Sequence, residues 1–218
     1  MKKYKGIIFD LDGTLLDTSE GIYNAIRYTE KKMGFEPLPD SVLHEFVGPP
    51  SLQSYLNHFP IDQETALQAV VHHRHYQSGQ GAREAKAYDG MIPLLAMLKQ
   101  SGYKIGVATL KRQDITETTL EAAEIIDYFD SIHGIDAAES LTKADIIRLV
   151  LRDFSLSPER AVMIGDSCYD AEGAATVGMD FIAVDYGFGF KNIDEIKACH
   201  PVYTAFFVDD LIAFFDGE

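Results

Sequence analysis

The hydrophobic positions of the chain form two kinds of pattern that alternate along most of its length. Short continuous apolar runs are typical of strands that are buried on both faces of a parallel sheet. Between the later runs, apolar residues recur every three or four positions, which is the spacing of one helix face. The predicted strands are 6–9, 104–109, 161–164 and 181–184, and the predicted helices are 91–100, 116–126, 144–154 and 168–177. This alternation predicts a doubly wound parallel sheet.

The alternation is interrupted between the first and the second predicted core strands. Residues 17–87 carry only helical patterns, which Gly48-Pro49-Pro50 and Phe59-Pro60 divide into segments because proline ends a helix. We therefore predict an all-helical cap domain over residues 17–87, inserted into a core of residues 1–16 and 88–218. The predicted fold class is α/β, with a Rossmann-like parallel sheet as the core.

Charge and composition narrow the classes of partner. The 218 residues carry a formal net charge of −15, which disfavours nucleic acid and anionic membranes as main partners. No segment approaches the roughly 20 apolar residues of a membrane span, and Asp10 and Asp12 interrupt the first apolar stretch, so we expect no signal peptide. Cys168 and Cys199 are the only cysteines and do not have the spacing of a disulfide framework. We expect a cytoplasmic protein that is a monomer or a weak homodimer.

Two carboxylates follow the first predicted strand directly. Asp10 and Asp12 lie one residue apart, and Gly13-Thr14 comes next. Open α/β sheets place their chemistry at the carboxyl ends of their strands. Two acids at such an edge repel each other and lose water, which costs free energy unless a cation or a proton is present. The pair therefore predicts a metal-assisted reaction.

Two further motifs follow the next predicted strands. Thr109-Leu110-Lys111 ends the second strand, and Gly165-Asp166-Ser167-Cys168-Tyr169-Asp170 follows the third. Because Asp10 and Asp166 close different strands of one sheet, their carboxylates could share a hard cation such as Mg²⁺, which prefers oxygen ligands. The hydroxyl of Thr109 would donate a hydrogen bond to a phosphate oxygen. These motifs indicate chemistry on a phosphate group.

Lys143 is the fourth piece of this pattern. Thr142 and Asp145 resemble a capping box, which places Lys143 in the first turn of a helix. A cation in that position opposes the helix dipole. We therefore expect anions near Lys143, namely Asp10, Asp170 and a bound phosphate.

The order of these motifs resembles that of the haloacid dehalogenase-like superfamily, whose members share Asp-x-Asp-Gly-Thr, a Thr, a Lys and Gly-Asp-x-x-x-Asp, with a helical cap. The resemblance covers essentially the whole chain and is greatest to the phosphoglycolate phosphatase-like branch. The segments that are similar to that branch are 9–17, 48–50, 74–76, 88–90 and 185–189. The resemblance implies a Mg²⁺-dependent phosphatase that hydrolyses small phosphorylated metabolites through an aspartyl-phosphate intermediate.

The resemblance also implies a role for each motif residue. Asp10 would be the nucleophile and a metal ligand. Asp12 would be the general acid and base, and its backbone carbonyl would be a metal ligand. Asp166 would be the second carboxylate ligand of Mg²⁺, while Thr109 and Lys143 would hold and neutralise the transferring phosphoryl group.

Residues beside these motifs are expected to support the site or to contact the substrate. Asp170 would lie just outside the site and orient Lys143 or the waters of the metal. Leu110 replaces the Asn or Ser that is more usual in this branch, so it would offer only its backbone to the ligand. Arg74, in the cationic patch His72-His73-Arg74-His75, and Gly48, in a loop that faces the active site in this branch, are candidate substrate contacts.

Several alternatives stay open at the level of sequence. Phosphoryl transfer needs an acid at the position of Asp12 to protonate the leaving alkoxide. Dehalogenases lack this acid, so Asp12 argues against a dehalogenase. A sugar-phosphate mutase would use the same core. A non-catalytic binding module would keep the fold, although the intact acids argue against it. The candidate substrates are phosphoglycolate, nucleoside 5′-monophosphates, pyrophosphate and sugar phosphates.

Overall fold

The computed structural model describes residues 3–217, which contain one large sheet and one short strand pair. The strands are β1 (Gly6–Phe9), β2 (Leu16–Asp17), β3 (Lys86–Ala87), β4 (Lys104–Arg112), β5 (Ser131–Ile135), β6 (Ala161–Gly165), β7 (Asp180–Val184) and β8 (Tyr203–Ala205). Six of them form a sheet in the order β5-β4-β1-β6-β7-β8, and each neighbouring pair is parallel. The remaining two, β2 and β3, pair with each other in antiparallel fashion.

The central position of β1 determines where the first acidic motif lies. Ile7, Ile8 and Phe9 are fully buried, as expected for a strand that is covered on both faces. Phe9 is in register with Val107 of β4 on one side and with Ile164 of β6 on the other. The residues that follow these three strands therefore emerge side by side at one edge of the sheet.

Helices cover both faces of the sheet, and a further group lies between β2 and β3 in the chain. The helices are α1 (Ser19–Met33), α2 (Asp40–Leu43), α3 (Ser51–His58), α4 (Gln63–Ser78), α5 (Met91–Gln100), α6 (Gln113–Ala122), α7 (Lys143–Phe154), α8 (Cys168–Val177), α9 (Ile193–Ala198) and α10 (Val208–Asp216). The cluster that contains Ile7 and Phe9 includes residues of α5, α6 and α10. The cluster that contains Ile8 includes residues of α7, α8 and α9. Because strand side chains alternate between faces, the two clusters are two separate layers, and the doubly wound α/β prediction is confirmed.

The inserted segment has a hydrophobic core of its own. Ile22 and Ile26 of α1, Tyr55 of α3 and Val70 of α4 are buried in this third cluster together with Phe46. The sequence pattern predicted only helices in this segment, and this prediction is wrong at the two ends of the segment. There Leu16 pairs with Ala87 and Asp17 pairs with Lys86, so a short strand pair joins the insert to the sheet domain.

Two core strands, β5 and β8, were not predicted from the pattern. The sequence of β5 is Ser-Ile-His-Gly-Ile, and β8 has only the three residues Tyr-Thr-Ala. Both are edge strands, so neither carries the continuous apolar run of a strand that is covered on both sides. The helix predicted over 116–126 begins at Gln113 and ends at Ala122, and Glu124 then adopts a left-handed φ of 58°, which is incompatible with a continuing helix.

Within residues 3–217, no helix combines the length and the apolar character that crossing a lipid bilayer requires.

Candidate active site

The ends of β1, β4 and β6 meet at a cavity of about 580 Å³ that lies between the edge of the sheet and the insert. Asp10 and Asp166 directly follow β1 and β6, whereas Thr109 lies inside β4, which continues to Arg112 rather than ending at the predicted residue 109. All three residues line the cavity. Each is buried, with Asp10 8% exposed. The structure therefore brings together the strand-end residues that the sequence singled out.

A tight turn after β1 brings Asp12 back to the same cavity. The carbonyl oxygen of Leu11 accepts hydrogen bonds from the amides of Thr14, Leu15 and Leu16. Gly13 has a φ of +79°, a conformation that glycine adopts without strain. A Cβ atom on Gly13 would collide with the carboxylate of Asp166. The glycine of the first motif is therefore required both for the turn and for the close approach of Asp166.

Lys143 lies between two carboxylates. Its Nζ is 2.6 Å from an oxygen of Asp10 and 2.6 Å from an oxygen of Asp170. The capping box of Thr142 and Asp145 is confirmed, so Lys143 begins α7. Burial alone would lower the pKa of Lys143, but the two carboxylates reverse this and hold the pKa above its usual value. The lysine is therefore charged, and its two anionic partners explain a cation in the first helical turn.

Asp170 connects Lys143 to the start of α8. One oxygen of Asp170 accepts hydrogen bonds from the amide and the hydroxyl of Ser167, at 3.1 and 2.6 Å. The other oxygen is the one that contacts Lys143. A Cβ on Gly173 would lie 2.8 Å from Cγ of Lys143, so α8 can pack this closely only because residue 173 is a glycine. Asp170 thus orients the lysine from behind.

The carboxylate of Asp166 is held by backbone amides. Its Oδ2 accepts hydrogen bonds from the amides of Phe188 and Gly189, at 2.8 and 3.0 Å. A Cβ on Gly187 would collide with the Asp166 side chain. The glycine-rich loop after β7 therefore wraps closely around this carboxylate, and within residues 3–217 no ion pair involves Asp166.

The acids at the sheet edge outnumber the cations that neutralise them. One oxygen each of Asp10, Asp166 and Asp170 lies within 4.8 Å of the other two. Burial raises the pKa of Asp10 to about 7, and the nearby acids add to this against the opposing effect of Lys143. Burial, Asp170 and Asp10 raise the pKa of Asp166 to about 8. A cluster of buried carboxylate oxygens with too little positive charge is suited to a hard cation.

Lys111 is a member of the site to which the sequence analysis gave no role. Its Nζ lies 3.0 and 3.1 Å from the two carboxylate oxygens of Asp12. Both side chains are largely buried, at 8% and 16% exposure. A signal was present in the sequence, because residues two apart in a strand point to the same side, so Thr109 and Lys111 face the cavity together.

The opposite wall of the cavity comes from the insert. Arg74 and Gly48, two of the three candidate substrate contacts, line the cavity on this side. Leu110, the third, lines it from β4. The guanidinium of Arg74 makes an ion pair with Glu139, which lies in the loop after β5. Arg74 therefore connects the insert directly to the sheet domain across the cavity.

His73 belongs to the patch His72-His73-Arg74-His75 and also lines the cavity on this side, although the sequence assigned it no separate role. It is buried, and its Nδ1 lies 3.1 Å from the hydroxyl of Tyr55. Burial, together with the charges of Lys111 and Arg74, lowers the pKa of His73 to about 3. The imidazole is therefore neutral and offers the cavity a polar group without charge.

Known proteins resemble this chain over most of its length. The family model described as "Haloacid dehalogenase-like hydrolase" matches residues 7–184. A 5′-nucleotidase of Pseudomonas aeruginosa is 33% identical over 92% of this chain and 90% of its own length. A phosphoglycolate phosphatase of Nitrosospira multiformis is 29% identical over 84% of each protein. The crystal structure of a predicted phosphatase from Clostridium acetobutylicum superimposes with a TM-score of 0.89 at 36% identity over all of both chains.

The family model covers most of the chain. This match and the two relatives named above agree with the resemblance that the motifs indicated. The chain belongs to the haloacid dehalogenase-like hydrolases and is a phosphatase of the branch that resembles phosphoglycolate phosphatase.

Proposed function

We propose that the protein is a Mg²⁺-dependent phosphatase that hydrolyses small phosphate monoesters through a phosphorylated Asp10. One observation carries this proposal. Asp10 and Asp12 line the same cavity but are paired with different lysines, Lys143 and Lys111 respectively. Two acids with separate partners can take separate roles, one as the nucleophile and the other as the carrier of the proton.

The donor set of the sheet edge supports the metal. Asp10, Asp166 and the backbone carbonyl of Asp12 would hold Mg²⁺. When bound, the ion neutralises these carboxylates and part of the negative charge of the phosphoryl group. This matches the excess of acid over base among the buried side chains, where Lys143 contacts only two of the three carboxylates that lie close together.

The first chemical step forms the phosphorylated enzyme. A carboxylate oxygen of Asp10 attacks the phosphorus of the substrate, and the bond from phosphorus to the ester oxygen breaks. Asp12, protonated at this stage, gives its proton to the departing oxygen, which leaves as an alcohol. Lys143 and the hydroxyl of Thr109 hold the oxygens of the phosphoryl group during the transfer.

The second step regenerates the enzyme. Asp12, now a carboxylate, removes a proton from a water molecule, and the oxygen of that water bonds to phosphorus. The bond from phosphorus to Asp10 breaks, which releases inorganic phosphate and restores both acids to their starting states. Lys111 contacts both side-chain oxygens of Asp12, so it fixes the direction in which that side chain points.

The size and lining of the cavity favour a substrate that extends well beyond its phosphate. The cavity has a volume of about 580 Å³, within the usual range for pockets that enclose an organic ligand. Its apolar lining residues include Ile22, Phe46, Pro49, Pro50, Leu110, Ile115, Ile135 and Leu141. A nucleoside 5′-monophosphate, with a flat base for the apolar walls, fits this description better than phosphoglycolate does. The name of the Pseudomonas relative, 5′-nucleotidase, supports the same choice.

The test is the release of inorganic phosphate from a panel of nucleoside monophosphates, sugar phosphates, pyrophosphate and phosphoglycolate, with Mg²⁺ and with EDTA. We expect release only with Mg²⁺, highest kcat/KM for a nucleoside monophosphate, and no turnover by Asp10→Asn. Asp216→Asn, which changes an exposed aspartate at the end of α10, is the matched control and should retain full activity.

Other outcomes would identify the alternatives. Interconversion of sugar phosphates without release of phosphate would indicate a mutase. Binding of esters without any reaction would indicate a non-catalytic module. Normal turnover by Asp10→Asn would exclude Asp10 as the nucleophile.

A further inference from the structure

The two cysteines of the chain lie in contact with each other. Cys168 and Cys199 are 31 positions apart in the sequence, and their Sγ atoms are 3.6 Å apart. Both are free thiols. A disulfide bond has a length of about 2.05 Å, so a small approach of the two segments would join them. The only two cysteines among the 218 residues of the sequence therefore lie side by side in the fold.

Each cysteine belongs to a segment that positions Asp166. Cys168 is the first residue of α8 and follows Asp166 by two positions. Cys199 directly follows α9, and the loop that leads into α9 supplies the amides of Phe188 and Gly189 that hold the Asp166 carboxylate. A covalent link between Cys168 and Cys199 would therefore tie together the two sides of the Asp166 environment.

The two thiols differ in accessibility. Cys168 is exposed, whereas Cys199 is half-buried. Burial and the adjacent sulfur of Cys168 raise the pKa of the Cys199 thiol to about 12. Cys168 is thus the thiol that a reagent from solution meets first, and Cys199 is placed to react second, with Cys168 rather than with the reagent.

We propose that Cys168 and Cys199 form a reversible disulfide that weakens the metal site, with a small-molecule disulfide such as oxidised glutathione as the oxidant. The sulfur of Cys168 attacks one sulfur of the oxidant and releases the first small thiol. The sulfur of Cys199 then attacks the Cys168 sulfur of this mixed disulfide and releases the second. The two cysteines are oxidised, the reagent is reduced to two thiols, and the protons of the cysteines end on those thiols.

The consequence for activity follows from the segments that must move. Closing the sulfur gap draws the first turn of α8 towards the end of α9. This changes the spacing between Asp166 and the two amides that hold it. Groups that orient a metal ligand commonly change metal affinity by about 10-fold or more when they are disturbed. We expect the disulfide form to need roughly 10-fold more Mg²⁺ for half-maximal activity, and a thiol reductant to reverse the effect. This second part rests on the proposed function, whereas formation of the disulfide does not.

The experiment compares the full-length protein after incubation with dithiothreitol and after incubation with oxidised glutathione. Thiols are counted in denaturant, and the intact mass is measured without reductant. We expect both thiols to be titratable in the reduced protein and neither in the oxidised protein. The oxidised protein should be a monomer, lighter by two hydrogen atoms and free of bound glutathione. A mass that shows glutathione adducts alone, or two thiols that persist, would overturn the proposal.

Cys199→Ser provides the matched control. In this variant glutathione should form a mixed disulfide at Cys168 that does not resolve, while the activity of the reduced variant should equal that of the wild-type protein. Half-saturating Mg²⁺ should increase in oxidised wild-type protein and return after reduction. An unchanged Mg²⁺ requirement in protein whose mass shows the disulfide would refute the regulatory part. If no ester releases phosphate, the proposed function fails, and the thiol count and mass still decide whether the disulfide forms.

Discussion

The two ends of the active-site cavity are built in different ways. At the sheet edge, Asp10 is buried against Lys143, and the largely buried Asp12 is paired with Lys111. At the insert end, Arg74 and Gly48 stand on a segment with a hydrophobic core of its own. The described ion pair that bridges the two sides of the cavity joins Arg74 to Glu139.

In the proposed function, this difference separates the reaction from the choice of substrate. Groups that take part in bond making must be held rigidly, and buried strand ends provide that rigidity. Groups that recognise the rest of the substrate can lie on a segment that moves relative to the sheet. We therefore expect changes at the sheet edge to act mainly on kcat and changes at the insert mainly on KM.

Among the variants that test this separation, Lys111→Ala should show the largest loss of activity. This change leaves Asp12 without the partner that contacts both of its oxygens, so proton transfer to the leaving group becomes less efficient. General acid catalysis contributes about 10²- to 10⁴-fold, and we expect Lys111→Ala to lower kcat by roughly 10- to 100-fold, a part of that contribution.

The measurement that distinguishes positioning from general damage is the dependence on the leaving group. An aryl phosphate such as para-nitrophenyl phosphate needs little protonation of its leaving oxygen, so its hydrolysis should suffer least. Lys191 is an exposed lysine in the loop after β7. The control variant Lys191→Ala should hydrolyse both the alkyl and the aryl ester at the wild-type rate. Equal losses for alkyl and aryl esters would contradict the assignment of Lys111 to Asp12.

A smaller effect is expected at the insert end, where Arg74→Ala is compared with Glu139→Gln. Both changes remove the ion pair across the cavity. If Arg74 binds the remote part of the substrate, only Arg74→Ala should raise KM, by about 10-fold, the equivalent of roughly 1.4 kcal/mol, with little change in kcat. Steady-state kinetics with the best substrate of the panel measures both constants.

Equal effects of the two changes would mean that the ion pair acts only as a contact that closes the cavity. A loss confined to kcat in Arg74→Ala would contradict the separation of the two ends more seriously, because it would place a group of the insert in the chemical step.

The same separation explains how far the sequence alone could lead. The strand-end motifs are local, and the end of a buried strand fixes where its next residue lies, so the positions of Asp10, Thr109 and Asp166 at one edge could be predicted. Lys143 could be predicted from a capping box and from the cost of a cation in the first helical turn. These inferences need only a few neighbouring residues each.

The contacts that the sequence did not reveal depend on distant segments. The pairing of Arg74 with Glu139, and the contact of Cys168 with Cys199, join elements that no local pattern places together. The edge strand β8 was missed because three residues are too short for a periodic pattern. Packing against the rest of the fold, rather than local preference, determines these features.

The last expected effect concerns the stability of the insert rather than the reaction, and it depends on His73. Its pKa is lowered to about 3 in the folded protein, whereas an unfolded histidine has a pKa of about 6.5. Between these values the unfolded chain binds a proton that the folded protein does not, so the free energy of unfolding falls as the pH is lowered. From pH 7.5 to pH 5 this single group should cost about 2 kcal/mol.

His73→Gln, which keeps a polar group beside the Tyr55 hydroxyl, should remove this part of the acid sensitivity, while His72→Gln, a half-buried neighbour, should not. Urea unfolding at the two pH values measures the difference between the variants.

If His73→Gln loses as much free energy of unfolding between the two pH values as the wild-type protein, His73 is protonated in the folded state. The wall of the cavity that it lines then carries a charge. The insert end would then attract the anionic substrate through two cationic groups, Arg74 and His73, and the neutral, largely apolar wall that favours a nucleoside over a small dianion would have to be abandoned.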